Sequence, residues 1–254
     1  MSDSEEFLAL LSGPYTPPGY NVDIVYVIDA TSSMESMLGK IKDAVLKIPQ
    51  ELRTVCKEYR RTIYRLRVKV TWFRDFYFDG KEAYGESEFF ELPSDEQALR
   101  DYLSGIEAKG GGDEPESALE ALTLAMRSDF VQEGNRKRHV IVLFTDAPAH
   151  RFEDYDKLIK TASGFGAKAE IYPQNMPANL FEFYEEWSGK RNDDGQSGVK
   201  TKLDQNGKRM ALFTPDAYPW TDMEMDLDFV LRYKLDENTD LNLTGICVLI
   251  GAAT

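Results

Sequence analysis

Asn21-Val22-Asp23-Ile24-Val25-Tyr26-Val27-Ile28-Asp29-Ala30-Thr31-Ser32-Ser33-Met34 is an apolar run that stops at an acid and opens into a hydroxyl-rich loop. Val22, Ile24, Val25, Val27 and Ile28 are mostly β-branched and nearly continuous, the pattern of a strand buried on both faces. Asp29, Thr31 and Ser33 follow at alternate positions, a spacing that can turn three oxygens toward one point. Oxygen donors are what a hard divalent cation prefers.

Outward from this stretch the chain alternates helix and strand. Met37, Leu38, Ile41, Ala44, Val45, Ile48, Leu52 and Val55 recur every three or four residues, a core-facing helix that Pro49 is expected to kink or split. Leu66, Val68, Val70 and Trp72 alternate with polar residues as an amphipathic strand. Asp79-Gly80 and the run at Phe89 and Phe90 then suggest an antiparallel edge hairpin. Ser94 with Gln97 forms a capping-box pattern before the helical face of Ala98 to Ile106.

Gly110-Gly111-Gly112 must end that helix, and it frees the backbone for close approach to a neighbouring loop. Asp113-Glu114-Pro115-Glu116 is expected to start the next helix, with Pro115 in its first turn. His139 to Thr145 is a second strand of the doubly buried type, and it too ends at an acid, Asp146. Two such strands delivering acids at their carboxyl ends place a ligand crevice at the edge of an open α/β sheet. Met210 to Thr214 reads as a further strand, Met225 to Leu231 as a helix, and Ile246 to Ile250 as a last strand.

The 254 residues fit one large domain. Residues 1–20 read as a leader and 21–254 as a single domain, with an irregular insertion over about 171–208 that contains a helical patch at Leu180 to Trp187. The formal net charge of -14 argues against nucleic acid and anionic membranes as partners. Cys56 and Cys247 are too few for a disulfide framework and are expected reduced and partly buried. No apolar run is long enough to span a bilayer, and the amino terminus lacks a secretory pattern, so a cytoplasmic location is expected.

Asp29-Ala30-Thr31-Ser32-Ser33 resembles the Asp-x-Ser/Thr-x-Ser signature of von Willebrand factor type A domains, which build a metal-ion-dependent adhesion site. In that family a middle loop supplies a threonine and a later strand end an aspartate. Asp146 matches the aspartate, while the threonine position falls on Asp113. The segment Gly110-Gly111-Gly112-Asp113-Glu114-Pro115-Glu116 is similar to a subset of the family with a Gly-Gly-Gly-Asp-x-Pro-Glu loop. The resemblance implies a Rossmann-like α/β fold: an open, mostly parallel central sheet with one antiparallel edge strand and helices on both faces. It also implies a cation, Mg²⁺ first and Mn²⁺ or Ca²⁺ as alternatives, held by Asp29, Thr31, Ser33, Asp113 and Asp146. With three acids the site favours retaining the metal over recruiting a partner's carboxylate.

Other residues have plainer readings. Glu114 and Glu116 are expected to be first-turn helix acids. Asp75 reads as a turn acid paired with Arg74 or solvent, with a place behind the ion as the alternative. His150 either orients an acid or is a simple loop residue. Trp72, Trp187 and Trp220 belong in a core, and Arg136-Lys137-Arg138 is read as a solvated lead-in to a strand.

The function expected is a non-enzymatic module whose metal-bearing face docks another protein. Family resemblance suggests a kinase, a phosphatase or an ATPase-linked assembly as that partner. The alternatives are a metal-dependent phosphohydrolase and a structural domain with a vacant site. A phosphohydrolase finds little support, since no P-loop or nucleophile motif is present and there are two histidines.

Overall fold

The computed structural model describes residues 19–112, 114–166, 172–190 and 201–235, together with residues 241, 245, 247 and 248. The expected leader, apart from Gly19 and Tyr20, lies outside the described residues, as do Asp113, Ile171 and residues 191–200.

Seven strands form one sheet among the described residues: β1 (Tyr20–Asp29), β2 (Ile63–Phe73), β3 (Tyr84–Glu86), β4 (Phe90–Glu91), β5 (Lys137–Phe144), β6 (Lys208–Thr214) and β7 (Val230–Lys234). Their order is β3-β2-β1-β5-β6-β7, with β4 also pairing β2. Strands β2, β1, β5, β6 and β7 are parallel to their neighbours, and only β3 and β4 run antiparallel, both against β2. The expected antiparallel edge is therefore present, as two short segments.

Strand β1 is buried on both faces because helices cover both sides. Val22, Ile24, Tyr26 and Ile28 face a cluster built with α1 (Glu35–Glu58) and α2 (Glu96–Ser104). Val25 and Val27 face a second cluster built with α3 (Ala118–Met126), α5 (Leu180–Trp187) and α6 (Trp220–Asp226). Leu158 and Ala162 of α4 (Tyr155–Gly164) pack on Tyr77 beside that second layer. The mixture of both-face burial and parallel pairing is what produces continuous apolar runs in β1 and β5.

Several sequence expectations change. Helix α1 passes through Pro49 as one 24-residue element, with Pro49 buried on the same stripe as Val45, Ile48 and Leu52. The packing of that stripe on both sides of Pro49 outweighs the loss of one backbone bond. Ser94 does not cap α2: its hydroxyl donates to the Glu91 carbonyl, and the N-cap is Asp95. Helix α3 begins at Ala118, because Glu116 is engaged in a parallel bridge with Ala149 and cannot be helical. Met225 to Leu231 is not one helix, since α6 ends at Asp226 and β7 starts at Val230. Cys247 and Val248 are helical, against the expected strand.

The expected insertion of about 171–208 contributes to the core at the described residues. Phe183 and Trp187 of α5 and Leu203 are buried in the second cluster. Arg138 is buried with 7% exposure over the Tyr20 ring, so the basic triplet is not a solvated lead-in at that position. Cys56 and Cys247 are buried free thiols. No described helix is long and apolar enough to cross a membrane.

Candidate metal centre

The strand order reverses between β1 and β5, which makes the carboxyl ends of these two strands the crevice of the sheet. Asp29 ends β1, and Thr145 and Asp146 follow β5. The loop after β1 turns at once through Thr31, Ser32 and Ser33 into a short 3₁₀ turn and then α1. That turn brings the expected oxygens together.

Asp29 is fully buried, and its Oδ1 accepts from Thr31 N at 2.9 Å and Thr31 Oγ1 at 2.7 Å. Its Oδ2 accepts from Thr145 Oγ1 at 2.6 Å. Thr31 Oγ1 lies 3.1 Å from Ser33 Oγ, and Ser33 Oγ donates to Asp146 Oδ1 at 3.0 Å. The four donors Asp29 Oδ1, Thr31 Oγ1, Ser33 Oγ and Asp146 Oδ1 thus form a chain with steps of 2.7, 3.1 and 3.0 Å.

Proton counting makes this chain unusual. Thr31 and Ser33 have one hydroxyl proton each, and these go to Asp29 and Asp146. The contact between the two hydroxyl oxygens is then left without a proton. Adjacent ligand oxygens around Mg²⁺, bound at about 2.0 to 2.1 Å in an octahedron, lie about 2.9 Å apart. The observed spacing and the all-oxygen chemistry therefore fit a hard divalent ion. Among the described residues, no group of three or more Asp, Glu, His and Cys side chains is arranged as a metal site by itself. The fit rests on hydroxyls together with carboxylates.

The Gly-Gly-Gly loop closes one side. Ser32 N and Oγ both donate to Gly110 O, at 3.2 and 2.9 Å, and Gly111 N donates to Asp79 Oδ2 at 2.9 Å. Gly111 has a φ of +85°, and a Cβ there would lie 3.1 Å from both Thr31 Cβ and Glu116 Oε1. Glycine is required by conformation and by space.

Acids beyond the expected set gather at this rim. Glu116, which the sequence suggests as a helix acid, is buried with 6% exposure and its Oε2 has no hydrogen-bond partner. Its pKa is pushed up to about 10, by burial first and then by Asp29, Asp75, Asp79 and Asp146. Burial, opposed by its hydroxyl and backbone donors, raises Asp29 to about 6. Asp75 is fully buried and does not pair with Arg74, whose guanidinium donates to the carbonyls of Ala30, Glu82 and Glu107. Instead Asp75 Oδ1 accepts from Tyr77 N at 2.6 Å, and His150 Nε2 stands 3.7 Å from its Oδ2.

One sequence signal bears on where the helix after Glu116 starts. Ser117-Ala118-Leu119-Glu120 has a capping-box spacing that marks the later helix start. In the fold Ser117 Oγ accepts from Phe76 N at 3.0 Å instead of capping.

Residues 89–168 match the family described as von Willebrand factor A domain. No curated protein matches the chain. Among solved structures, proximal thread matrix protein 1 from the mussel byssus is 14% identical, with a TM-score of 0.50 over 92% of this chain and 48% of that one. That likeness shows the fold. The pilus adhesin SpaC from Lactobacillus rhamnosus GG is 23% identical, with a TM-score of 0.38 over 50% of this chain. The chain spans 15% of the adhesin's length.

Proposed function

We propose that this chain is a non-enzymatic protein-interaction module that holds a divalent cation, Mg²⁺ by preference, at the carboxyl ends of β1 and β5. Asp29, Thr31, Ser33 and Asp146 hold the ion, with Asp113 as a further acid from the glycine loop. The observation that carries this reading is Asp29: a fully buried carboxylate whose hydrogen bonds come from hydroxyls and one backbone N–H, with no ion pair among the described residues. Buried charges are normally paired or bound to metal. A cation would supply positive charge in direct contact with Asp29, which no side chain of the described residues does by ion pairing, and would attract charge-bearing or polar groups of a docking protein.

The protein partner would meet the rim around the ion. A groove of about 490 Å³ lies beside it, lined by Pro148, His150, Arg151, Lys157, Leu158 and Tyr218 among others. Arg151 stacks 4.1 Å above the Tyr218 ring, presenting a fixed cation next to the acidic site. A kinase, phosphatase or ATPase-linked assembly in the cytoplasm is the class of partner that the family resemblance suggests.

Titration calorimetry with Mg²⁺ and Mn²⁺ tests the reading, comparing the wild type with Asp146→Ala. Saturable heat in the wild type and none in the variant supports it. Absence of heat and of any thermal shift in the wild type removes the cation from the account.

A further inference from the structure

We propose that the end of the molecule opposite the cation site binds a phosphate group, in a small basic pocket where α1 runs out beside the amino ends of β1, β2 and β5. Strand β1 is ten residues long, which puts this end roughly 30 Å from Asp29. The inference therefore stands apart from the cation reading. The pocket has a volume of about 250 Å³ and is lined by Arg53, Cys56, Lys57, Arg61, Thr62 and Ile63. Three of these six are cations and none is an acid, in a chain whose formal net charge is -14.

The local fold gathers these charges. Arg53 and Lys57 stand four residues apart and so share a face of α1, where like charges repel. Arg60, with a φ of +54°, turns the chain back, and Arg61 N donates to Cys56 O at 2.7 Å, which sets Arg61 over the same last turn. The carboxyl end of a helix favours basic residues of its own, but further cations arrive here from β5. Arg61, Arg136 and Arg138 surround the Tyr20 ring at 5.5, 5.6 and 4.8 Å. The Cys56 thiol on the pocket wall is pushed up by burial, and the charges of Arg61, Arg138 and Arg53 oppose that rise. Arg61, Arg136 and Arg138 keep further partners of their own, so what they add is positive potential. The donors left for a ligand belong to Arg53 and Lys57. Arg53 Nη2 donates to the Leu92 carbonyl at 3.0 Å, a neutral acceptor, and Lys57 is exposed. Arg65, Arg67 and Arg127 instead meet carboxylates, those of Glu91, Asp23 and Glu186.

Size and field choose the ligand. The pocket is smaller than the roughly 300 Å³ at which sites for drug-sized ligands begin, which suits a compact anion. Phosphate oxygens accept from a guanidinium and an ammonium at once, in charge-assisted hydrogen bonds. A long polyanion would also meet the acidic remainder of the surface, whereas a compact one feels chiefly the charges within a Debye length of about 8 Å.

The test is titration calorimetry at low salt on protein stripped of divalent ions, so that no phosphate binds through a metal at the other end. The probes are inorganic phosphate and glycerol 3-phosphate, and the proteins are wild type, Arg53→Gln, Lys57→Gln and Asp146→Ala. Wild type and Asp146→Ala are expected to bind saturably and alike, and Arg53→Gln and Lys57→Gln about tenfold or more weakly. Tighter binding of the ester assigns the pocket to a phosphorylated organic molecule; equal or tighter binding of inorganic phosphate assigns it to the free ion. Should Arg53→Gln not fold, the exposed Lys57→Gln decides. No saturable binding by the wild type overturns the proposal, as does wild-type affinity in folded Lys57→Gln or displacement of phosphate by an equal concentration of acetate. A wild type that binds phosphate but no Mg²⁺ supports this pocket while removing the cation site.

Discussion

Replacing Asp29 with Asn tests whether an uncompensated charge sits at the centre of the site. The folded chain holds Asp29's proton up to about pH 6, against 3.8 ordinarily. A raised carboxylate pKa means that the fold binds the proton more tightly than the unfolded chain, so stability falls as pH rises through this window. One pKa step is about 1.4 kcal/mol, which makes the ionised apo site cost about 3 kcal/mol above pH 6. Roughly 2 kcal/mol of this accrues between about pH 4.5 and pH 7. Asn cannot ionise, yet it keeps an oxygen for Thr31, and the Thr145 hydroxyl can turn to accept from its amide.

In chelator, the melting temperature of Asp29→Asn relative to wild type is therefore expected to climb by about 4 to 8 °C over that range, at about 2 to 4 °C per kcal/mol for a chain of this size. Taking the difference removes His139, whose burial lowers its pKa and weakens both proteins as pH falls below 6.5. In Mg²⁺ at a hundredfold excess over Kd, the wild type gains about 2.7 kcal/mol and the variant nothing, so the difference should shrink or reverse. A pH-independent difference in chelator would refute the claim that the Asp29 charge strains the apo fold. Equal curves with and without Mg²⁺ would refute its proposed remedy.

Gly111→Ala should cost the fold about 1 to 2 kcal/mol and abolish Mn²⁺ binding, since its φ is +85° and the new methyl would press on Thr31 and Glu116; thermal melts and calorimetry check both parts. Arg127→Ala should destabilise by about 3 to 5 kcal/mol in denaturant titration, because it removes the bidentate guanidinium from the fully buried Glu186. Trp187→Ala should cost about 3 to 5 kcal/mol, a loss that an appended insertion would not show.

The strands most legible in the sequence are those buried on both faces. In β1 and β5 helices lie above and below, so neither face has reason to be polar and the apolar run is nearly unbroken. Strand β7 was hidden because it is the sheet's edge: Leu231, Arg232, Tyr233 and Lys234 are only partly buried or exposed, and the five residues show no clean period. The expected insertion of about 171–208 illustrates a related effect. Its polar flanks dominate the composition, while its contribution to the core comes from a few side chains, Phe183, Trp187 and Leu203, that become neighbours only in the fold.

Asp23 and Asp29 show how far a sequence can carry a site. They lie six residues apart on one strand, one near its start and one at its end, and are both buried. Asp23 accepts from Arg67 Nε at 2.8 Å and from Val131 N at 2.6 Å, so its charge is answered within the chain. Asp29 receives hydroxyls. Neither of these partners is local, because Arg67 comes from the neighbouring strand and Thr145 from just past the strand on the other side. What did mark Asp29 was the alternation that follows it, Thr31 and Ser33, which places its oxygens within one turn. Glu116 had no such marker, since its buried position depends on a bridge to Ala149 and on the space left by Gly111. A residue whose position is set by local turn geometry can be found by reading along the chain; one set by a contact between distant loops can be found only once those loops are in place.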